Sequence, residues 1–298
     1  MAADRVDEGD KRDTTDALSG PAQASPEMPA DQERLAAIRR IHRILVGHTY
    51  GVARDAWADA VPHLRSVWEK HKERYPERSR AEARTTSDGA WEAGEQRLSP
   101  EQNAEATKAH ADMAEEGHRD ILPALKRVEA TDPNRRLAGL DHMIKGEDRL
   151  KEKIADELTA KPGRTVQQVL DTVVDPVRFT FTYQPQRYAD GVHTDVELLK
   201  AEGFELVKLK NLWAADQYKG VNSQWRRAET GLRFEVQFHT LESLEAKELT
   251  HAAYARIRSS AGPAERKELA GFQRLANALL VTPEHTAEIK DFPEKNNG

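Results

Sequence analysis

The sequence predicts an α+β fold, in which a mixed β-sheet of about four to five strands is flanked by helices and preceded by an all-helical N-terminal region. Three observations lead to this prediction. Apolar residues recur at helical spacing over most of residues 31–158. Apolar and polar side chains then alternate in short stretches between residues 177 and 240. Helical spacing returns after residue 240 and continues almost to the end of the chain.

Composition along the chain divides it into four regions. Residues 1–30 are acidic and contain hardly any large apolar side chains, which predicts a disordered tail. Residues 31–118 are predicted to be helical, with a highly charged segment that indicates an exposed connection or a charged helix end. Residues 119–262 contain the predicted sheet. Residues 263–298 are expected to form a C-terminal helix and a frayed tail.

Within these regions the spacing predicts individual elements. Helices are expected at residues 100–128, 137–158, 166–170, 194–202, 241–254 and 264–280. Strands are expected at residues 177–183, 204–210, 220–227 and 232–240.

Composition also restricts the classes of function. The 298-residue chain has no cysteine, which excludes disulfides, thiolate nucleophiles and cysteine-bound metal clusters. Its net charge of -6 provides no overall basic field for binding nucleic acid. No apolar run is long enough to span a bilayer, and the first residues lack the apolar core of a signal peptide. We therefore expect a cytoplasmic protein that does not bind membranes.

The strand at residues 232–240 carries the most informative pattern. One face is entirely apolar, and the other bears Arg233, Glu235, Gln237 and His239. One interpretation is an ordinary sheet with a solvated face. The other is a ligand-binding floor, because further polar residues of the predicted sheet would surround the carboxylate of Glu235. These residues are Arg178, Lys208, Lys210, Lys219 and Asn222. A cationic floor suits a polyphosphate, and leaves Glu235 to bind a metal or accept a proton.

A second cationic pattern lies in the predicted helix 137–158. Lys145, Arg149 and Lys153 are spaced at i, i+4 and i+8, which places them on one face. They form either a phosphate clamp or an ordinary solvated helix face, since acidic residues lie next to them. The chain lacks a glycine-rich phosphate loop, so side chains would have to hold any phosphates. His239 and His251 are candidates for phosphate or hydroxyl contacts, although isolated histidines are commonly structural.

Four motifs follow one another along the chain. They are Lys145-Gly-Glu-Asp-Arg-Leu-Lys-Glu-Lys153, Asp175-Pro-Val-Arg-Phe-Thr-Phe181, Tyr218-Lys-Gly-Val-Asn-Ser223 and Phe234-Glu-Val-Gln-Phe-His-Thr240, with His251 further on. In order and spacing they resemble the RelA/SpoT-type alarmone synthetase domain. The resemblance covers roughly residues 120–260, and its most specific element is the Glu-Val-Gln-x-x-Thr strand that follows a Gly-x-x-Ser strand.

This resemblance implies a nucleotidyltransferase-like sheet and an ATP-dependent pyrophosphokinase. Such an enzyme transfers the β,γ-diphosphate of ATP, with Mg²⁺, to the ribose 3′-hydroxyl of a nucleotide, giving a ppGpp-, pppGpp- or ppApp-like product. It implies that Glu235 assists the metal and the attacking hydroxyl, and that Arg178, which matches the arginine of the family's first strand, is a further catalytic residue. Asp175 is the implied metal ligand, with Asp171 as a possible substitute because the spacing to Arg178 is shorter than in the family.

The resemblance also implies which residues hold the two substrates. The implied ATP-binding residues are Lys145, Arg149, Lys153 and Arg178. The implied acceptor-binding residues are Lys208, Lys210, Tyr218, Lys219, Asn222, Ser223, Gln237 and His239.

Some positions depart from the family pattern. Val221 stands where an aromatic residue usually stacks on the acceptor base, Trp225 and His239 replace a histidine and an arginine, and Met143 replaces an arginine. These changes resemble toxin-type or secreted branches and leave the acceptor open between guanine nucleotides, adenine nucleotides and the 3′ end of tRNA. An antitoxin or immunity protein is a possible partner.

Two alternatives to this activity remain. One is a different nucleotidyl-type transfer on the same fold. The other is a catalytically inactive or structural phage- or toxin-associated binding module. No His-Asp hydrolase domain is recognisable in the first 120 residues, so we expect synthesis without hydrolysis.

Overall fold

A computed structural model describes residues 50–76, 81–173, 175–259 and 261–293. The predicted tail at residues 1–30 and the start of the predicted helical region lie outside the described residues. In the part of the chain described, no helix is long and apolar enough to cross a membrane.

The architecture is α+β with a five-stranded mixed sheet flanked by helices, which confirms the predicted fold class. The helices are α1 (Tyr50–Arg74), α2 (Pro100–Glu116), α3 (Leu122–Ala130), α4 (Glu147–Ala160), α5 (Val166–Leu170), α6 (Tyr188–Ala201), α7 (Leu241–Ser259) and α8 (Pro263–Ala278). The strands are β1 (Arg84–Thr85), β2 (Trp91–Ala93), β3 (Gln96–Leu98), β4 (Arg135–Ala138), β5 (Arg178–Tyr183), β6 (Phe204–Asn211), β7 (Val221–Arg227) and β8 (Arg233–Thr240).

The main sheet has the strand order β4-β5-β8-β7-β6. Strands β5 and β8 are parallel, and every other neighbouring pair is antiparallel. The two strands that carry Arg178 and Glu235 are therefore direct neighbours, and these two residues are register partners.

The two faces of this sheet differ in chemistry, as the alternation in β8 predicted. One face packs its aromatic and aliphatic side chains against α3 and α6 in a single apolar core. Phe179 and Phe234 meet edge to face in this core, with ring centroids 6.4 Å apart. The opposite face carries the polar residues of β5, β7 and β8, and α7 packs over β5 and β8.

The N-terminal region is not entirely helical, contrary to the prediction. The charged segment before α2 forms a small antiparallel sheet, β1-β2-β3. Trp91 and Leu98 are buried in a second core shared with α4, and the indole of Trp91 donates a hydrogen bond of 2.8 Å to Asp148. Strands of only two or three residues are too short to show an alternating pattern in the sequence.

The predicted helix 137–158 begins ten residues later than expected. Residues 135–138 form the edge strand β4, and Gly139 follows in the left-handed conformation, at φ 65°. Ile144 then pairs with Val177 as an isolated bridge, so the chain is extended before α4 begins at Glu147. The helix predicted at 194–202 also differs, because it begins at Tyr188.

Trp57 and Leu64 lie in α1, within the region at residues 31–118 that the sequence predicts to be helical. Both side chains are buried in one apolar cluster with residues of α7 and α8, which include Ala253 and Phe272. This third cluster attaches α1 to the two C-terminal helices.

Candidate active site

Strand register places polar residues in rows across one face of the sheet. The first row runs over β5, β8, β7 and β6 as Arg178, Glu235, Gln224 and Lys208. The second row follows the same strands as Thr180, Gln237, Asn222 and Lys210. Side chains of register partners point to the same face. The predicted polar floor is therefore a continuous surface, and Gln224, which was not predicted as a site residue, completes its first row.

Glu235 lies at the centre of this floor and is only 9% exposed. Its Oε2 is 3.2 Å from Nε of Arg178, and its Oε1 accepts a hydrogen bond of 2.6 Å from the amide of Gln237. The guanidinium of Arg178 also reaches Oδ2 of Asp175, at 3.6 Å. Asp175, Arg178, Glu235 and Gln237 thus form one connected polar centre.

Two lysines converge on the other side of this centre. The ammonium groups of Lys145 and Lys153 donate hydrogen bonds of 2.6 and 2.8 Å to the two carboxylate oxygens of Asp175. Burial by itself would raise the pKa of Asp175, but the hydrogen bonds and positive charges of both lysines lower it well below its ordinary value. Asp175 is therefore ionised throughout the physiological pH range.

The prediction that three cations share one helix face is only partly correct. Lys145 precedes α4, and its backbone N–H bonds to the carbonyl of Pro176, so it approaches Asp175 from an extended segment. Lys153 approaches from α4. Arg149 is 60% exposed and pairs with Glu152 at 3.4 Å, and the structure does not bring it to Asp175.

Asp171, the alternative metal ligand, lies outside this centre. Its exposed carboxylate accepts a hydrogen bond of 2.8 Å from the side chain of Gln167 at the end of α5. The structure therefore places Asp175, and not Asp171, beside Arg178 and Glu235.

Hard divalent cations prefer oxygen ligands, and the polar centre contains oxygen donors of this kind. Asp175 and Glu235 supply carboxylate oxygens, and Oε1 of Gln237 is buried without a hydrogen-bond partner. The described residues contain no group of three or more acidic or histidine side chains that could hold a metal by themselves. Mg²⁺ commonly binds one or two carboxylates and completes its shell with water and substrate phosphates.

Tyr218 is held at one end of the floor by two neighbours. Its hydroxyl donates to Oδ1 of Asn222 at 2.6 Å and lies 2.8 Å from Nε2 of His239. The other ring nitrogen of His239 lies 2.9 Å from the hydroxyl of Ser243. Burial lowers the pKa of His239 to about 3, so its ring is neutral. With both nitrogens engaged and no exposed surface, His239 supports Tyr218 and is not free to contact an acceptor, contrary to the prediction.

The predicted acceptor lysines differ in their surroundings. Lys208 and Lys210 lie on the site face of the edge strand β6, and neither ammonium has a hydrogen bond or ion pair within the described ranges. Lys219 donates to the carbonyl of Trp213 at 2.6 Å, and burial lowers its pKa. Two predicted lysines are therefore available to a ligand, and the third is bound to the backbone.

Ser223 and Val221 lie on the opposite face from Glu235. The hydroxyl of Ser223 donates to the carbonyl of Val236 at 2.8 Å and accepts a hydrogen bond from the buried indole of Trp225. Val221 is completely buried in the apolar core. The structure thus removes Ser223 from the predicted acceptor site, and position 221 cannot be the platform for an acceptor base.

Small alarmone synthetases are among the solved structures to which the chain is similar. Small alarmone synthetase 1 from Bacillus subtilis is 16% identical, with 59% of this chain and 89% of that chain covered and a TM-score of 0.40. A GTP pyrophosphokinase family protein from Streptococcus pneumoniae is 15% identical, with 58% and 85% covered and a TM-score of 0.37. The B. subtilis synthetase 1 bound to its product pppGpp is 15% identical, with 49% and 70% covered and a TM-score of 0.33.

No protein-family profile and no curated protein sequence matches the chain. The three solved structures named above are two of a small alarmone synthetase and one of a GTP pyrophosphokinase family protein.

Proposed function

We propose that the protein is an ATP-dependent pyrophosphokinase that transfers the β,γ-diphosphate of ATP to the ribose 3′-hydroxyl of a nucleotide or of a tRNA 3′ end. One observation carries this proposal. A nearly buried carboxylate, Glu235, lies at the centre of a cationic floor and is held there by Arg178 and Gln237. Such a floor binds polyphosphate, and its one central carboxylate supplies a proton acceptor.

In the proposed reaction the 3′-oxygen of the acceptor attacks the β-phosphorus of ATP. The bond between that phosphorus and the bridging oxygen to the α-phosphate breaks, and AMP leaves with the electron pair. Glu235 accepts the proton of the attacking hydroxyl. Gln237 and Arg178 fix the two carboxylate oxygens, so the proton acceptor is oriented before the substrates bind.

The ATP phosphates bind on the side of Asp175. Lys145 and Lys153 end there, and ATP phosphates would share these ammonium groups with the carboxylate. Asp175 and Glu235 would hold Mg²⁺, which neutralises part of the phosphate charge when it is bound. Arg149, although predicted for this role, is exposed and would contribute little.

The acceptor binds toward the edge strand. Lys208 and Lys210 offer charges to its phosphates, and Tyr218 offers a ring near Asn222. A solved structure that matches the fold carries pppGpp, which supports a nucleotide acceptor. A guanine nucleotide, an adenine nucleotide and tRNA are the acceptors to be tested, and an antitoxin or immunity partner stays a prediction.

The alternative of an inactive binding module is less well supported. Binding alone needs cations, but it does not need a carboxylate fixed at both oxygens in the middle of them. A different nucleotidyl transfer on this floor would use the same cations but move another part of ATP.

Two labels distinguish these reactions. The purified protein is incubated with Mg²⁺, a panel of nucleotides and deacylated tRNA, and ATP labelled at either the α- or the γ-phosphate. Diphosphate transfer moves the γ-label to the acceptor and leaves the α-label in AMP. Nucleotidyl transfer moves the α-label instead, and a binding module moves neither.

A further inference from the structure

Helix α7 returns over the polar floor directly after β8. β8 ends at Thr240 and α7 begins at Leu241. The hydroxyl of Ser243, in the first turn of α7, lies 2.9 Å from Nδ1 of His239. His239 belongs to the site face of β8, so the face of α7 that carries Ser243 is turned toward the floor.

The same helix face carries a cation one turn later. Residues four apart lie on one side of a helix, so Lys247 and His251 follow Ser243 along this face. Because α7 packs on both β8 and β5, its path leads from His239 back toward the row of Glu235 and Arg178. Lys247 is thereby brought over the polar centre, and it was not predicted from the sequence.

Lys247 differs from the other cations of the centre. Lys145, Lys153 and Arg178 each contact a carboxylate. The partly buried ammonium of Lys247 has neither a hydrogen bond nor an ion pair in the part of the chain that the structure describes. Burial and the positive charge of Arg178 lower the pKa of Lys247 to about 8, against the opposing effect of Glu235. An anionic ligand would stabilise a partly buried cation of this kind.

We propose that Lys247 binds the diphosphate group that is transferred from ATP, as a catalytic residue at the reacting centre. This inference rests on the proposed function. Arg178 already contacts both Asp175 and Glu235, so much of its charge is compensated within the protein. Lys247 supplies a positive charge that forms no ion pair in the described part of the chain, where the β-phosphorus would meet the attacking oxygen. An ammonium at this point stabilises the charge of the transferred group both in bound ATP and during transfer.

The test compares three variants with the wild-type protein. Lys247→Met removes the charge and keeps the length of the side chain, Lys247→Arg keeps the charge, and Lys267→Met removes an exposed lysine of α8 as the matched control. Binding of α,β-methylene ATP with Mg²⁺ is measured by calorimetry, since this analogue cannot be cleaved between its α- and β-phosphates. Transfer from ATP is then measured to give kcat.

We expect Lys247→Met to bind the analogue at least tenfold more weakly and to lower kcat at least a hundredfold, with the wild-type melting temperature. Lys247→Arg should recover most of the analogue binding, and Lys267→Met should behave as wild type. Unchanged analogue binding by Lys247→Met would overturn the inference and leave the proposed function standing. A wild-type protein that binds no analogue and transfers no diphosphate would overturn both.

Discussion

Arg178 and Glu235 are 57 residues apart in the sequence, yet Nε of Arg178 lies 3.2 Å from Oε2 of Glu235. They meet because β5 and β8 are parallel neighbours in which these two residues are register partners. The fold thus sets the carboxylate of Glu235, the proposed proton acceptor, beside a guanidinium before any substrate binds. The free energy needed to orient the site is supplied by folding rather than by substrate binding.

Lys145→Ala and Lys153→Ala should each weaken ATP binding by about 1 to 3 kcal/mol, because each removes a charge-assisted hydrogen bond at the phosphate end of the site. Calorimetric titration with ATP and Mg²⁺ measures the change. Arg149→Ala is the matched control from the same segment, and its exposed side chain predicts an effect below about 1 kcal/mol. Equal effects at all three positions would contradict the arrangement around Asp175.

Replacing Lys208 and Lys210 together by alanine should raise the KM for the acceptor about 10- to 100-fold and leave the KM for ATP nearly unchanged. Both ammonium groups lie on the site face of the edge strand, away from Asp175. Steady-state kinetics with each substrate varied in turn provides the measurement. Lys200→Ala, an exposed lysine on α6, serves as the control. A larger rise in the KM for ATP than in the KM for the acceptor would contradict the assignment of ATP and the acceptor to the two ends of the site.

Because His239 is buried in its neutral form, we expect the free energy of unfolding to depend on pH. The pKa of His239 falls from 6.5 to about 3 on folding, so the unfolded chain binds more protons between these values. Its contribution to the free energy of unfolding is complete above pH 6.5 and is lost as the pH falls, by up to about 1.4 kcal/mol per pH unit.

Urea unfolding at pH 7 and pH 5.5 tests this dependence. His239→Gln should lose less stability than the wild type over this interval, whereas His63→Gln, at an exposed position, should lose as much as the wild type. An identical loss in His239→Gln would show that His239 is not the titrating group.

Gly220→Ala should destabilise the protein by about 1 to 3 kcal/mol and lower acceptor binding. A Cβ at Gly220, where φ is 153°, would lie 2.8 Å from Cε1 of His239 and 3.0 Å from the carbonyl oxygen of Phe238. The ring of His239 would have to move, and Tyr218 with it. Thermal unfolding gives the stability, and Gly262→Ala, with no heavy atom within 4 Å of its Cβ, is the control. A melting temperature equal to that of the control would contradict the close contact.

The sequence predicted features that depend on local periodicity. Alternation in β8 placed Glu235 and Gln237 on one face and Val236 on the other, and the structure agrees. Side chains also alternate between the two faces along β7, so the neighbours Asn222 and Ser223 point to opposite faces. This alternation could have excluded Ser223 from the predicted site. The strands β1 to β3 were missed because they are too short to show a period.

Contacts between segments that are distant in the sequence could not be predicted from local residue patterns. Lys145 reaches Asp175 because a bridge between Ile144 and Val177 brings the two segments together, and the helical spacing of the cations concealed this. The position of Lys247 depends on the direction in which α7 leaves β8, which the spacing of residues on the helix does not specify.

Glu235→Gln tests the central claim most directly. The amide is nearly isosteric with the carboxylate but accepts no proton, so transfer of the γ-label to the acceptor should fall at least a hundredfold with unchanged thermal unfolding. Asp171→Asn, which alters an exposed carboxylate outside the centre, should transfer at the wild-type rate. A folded Glu235→Gln protein that transfers diphosphate at the wild-type rate would contradict the assignment of Glu235 as the catalytic carboxylate.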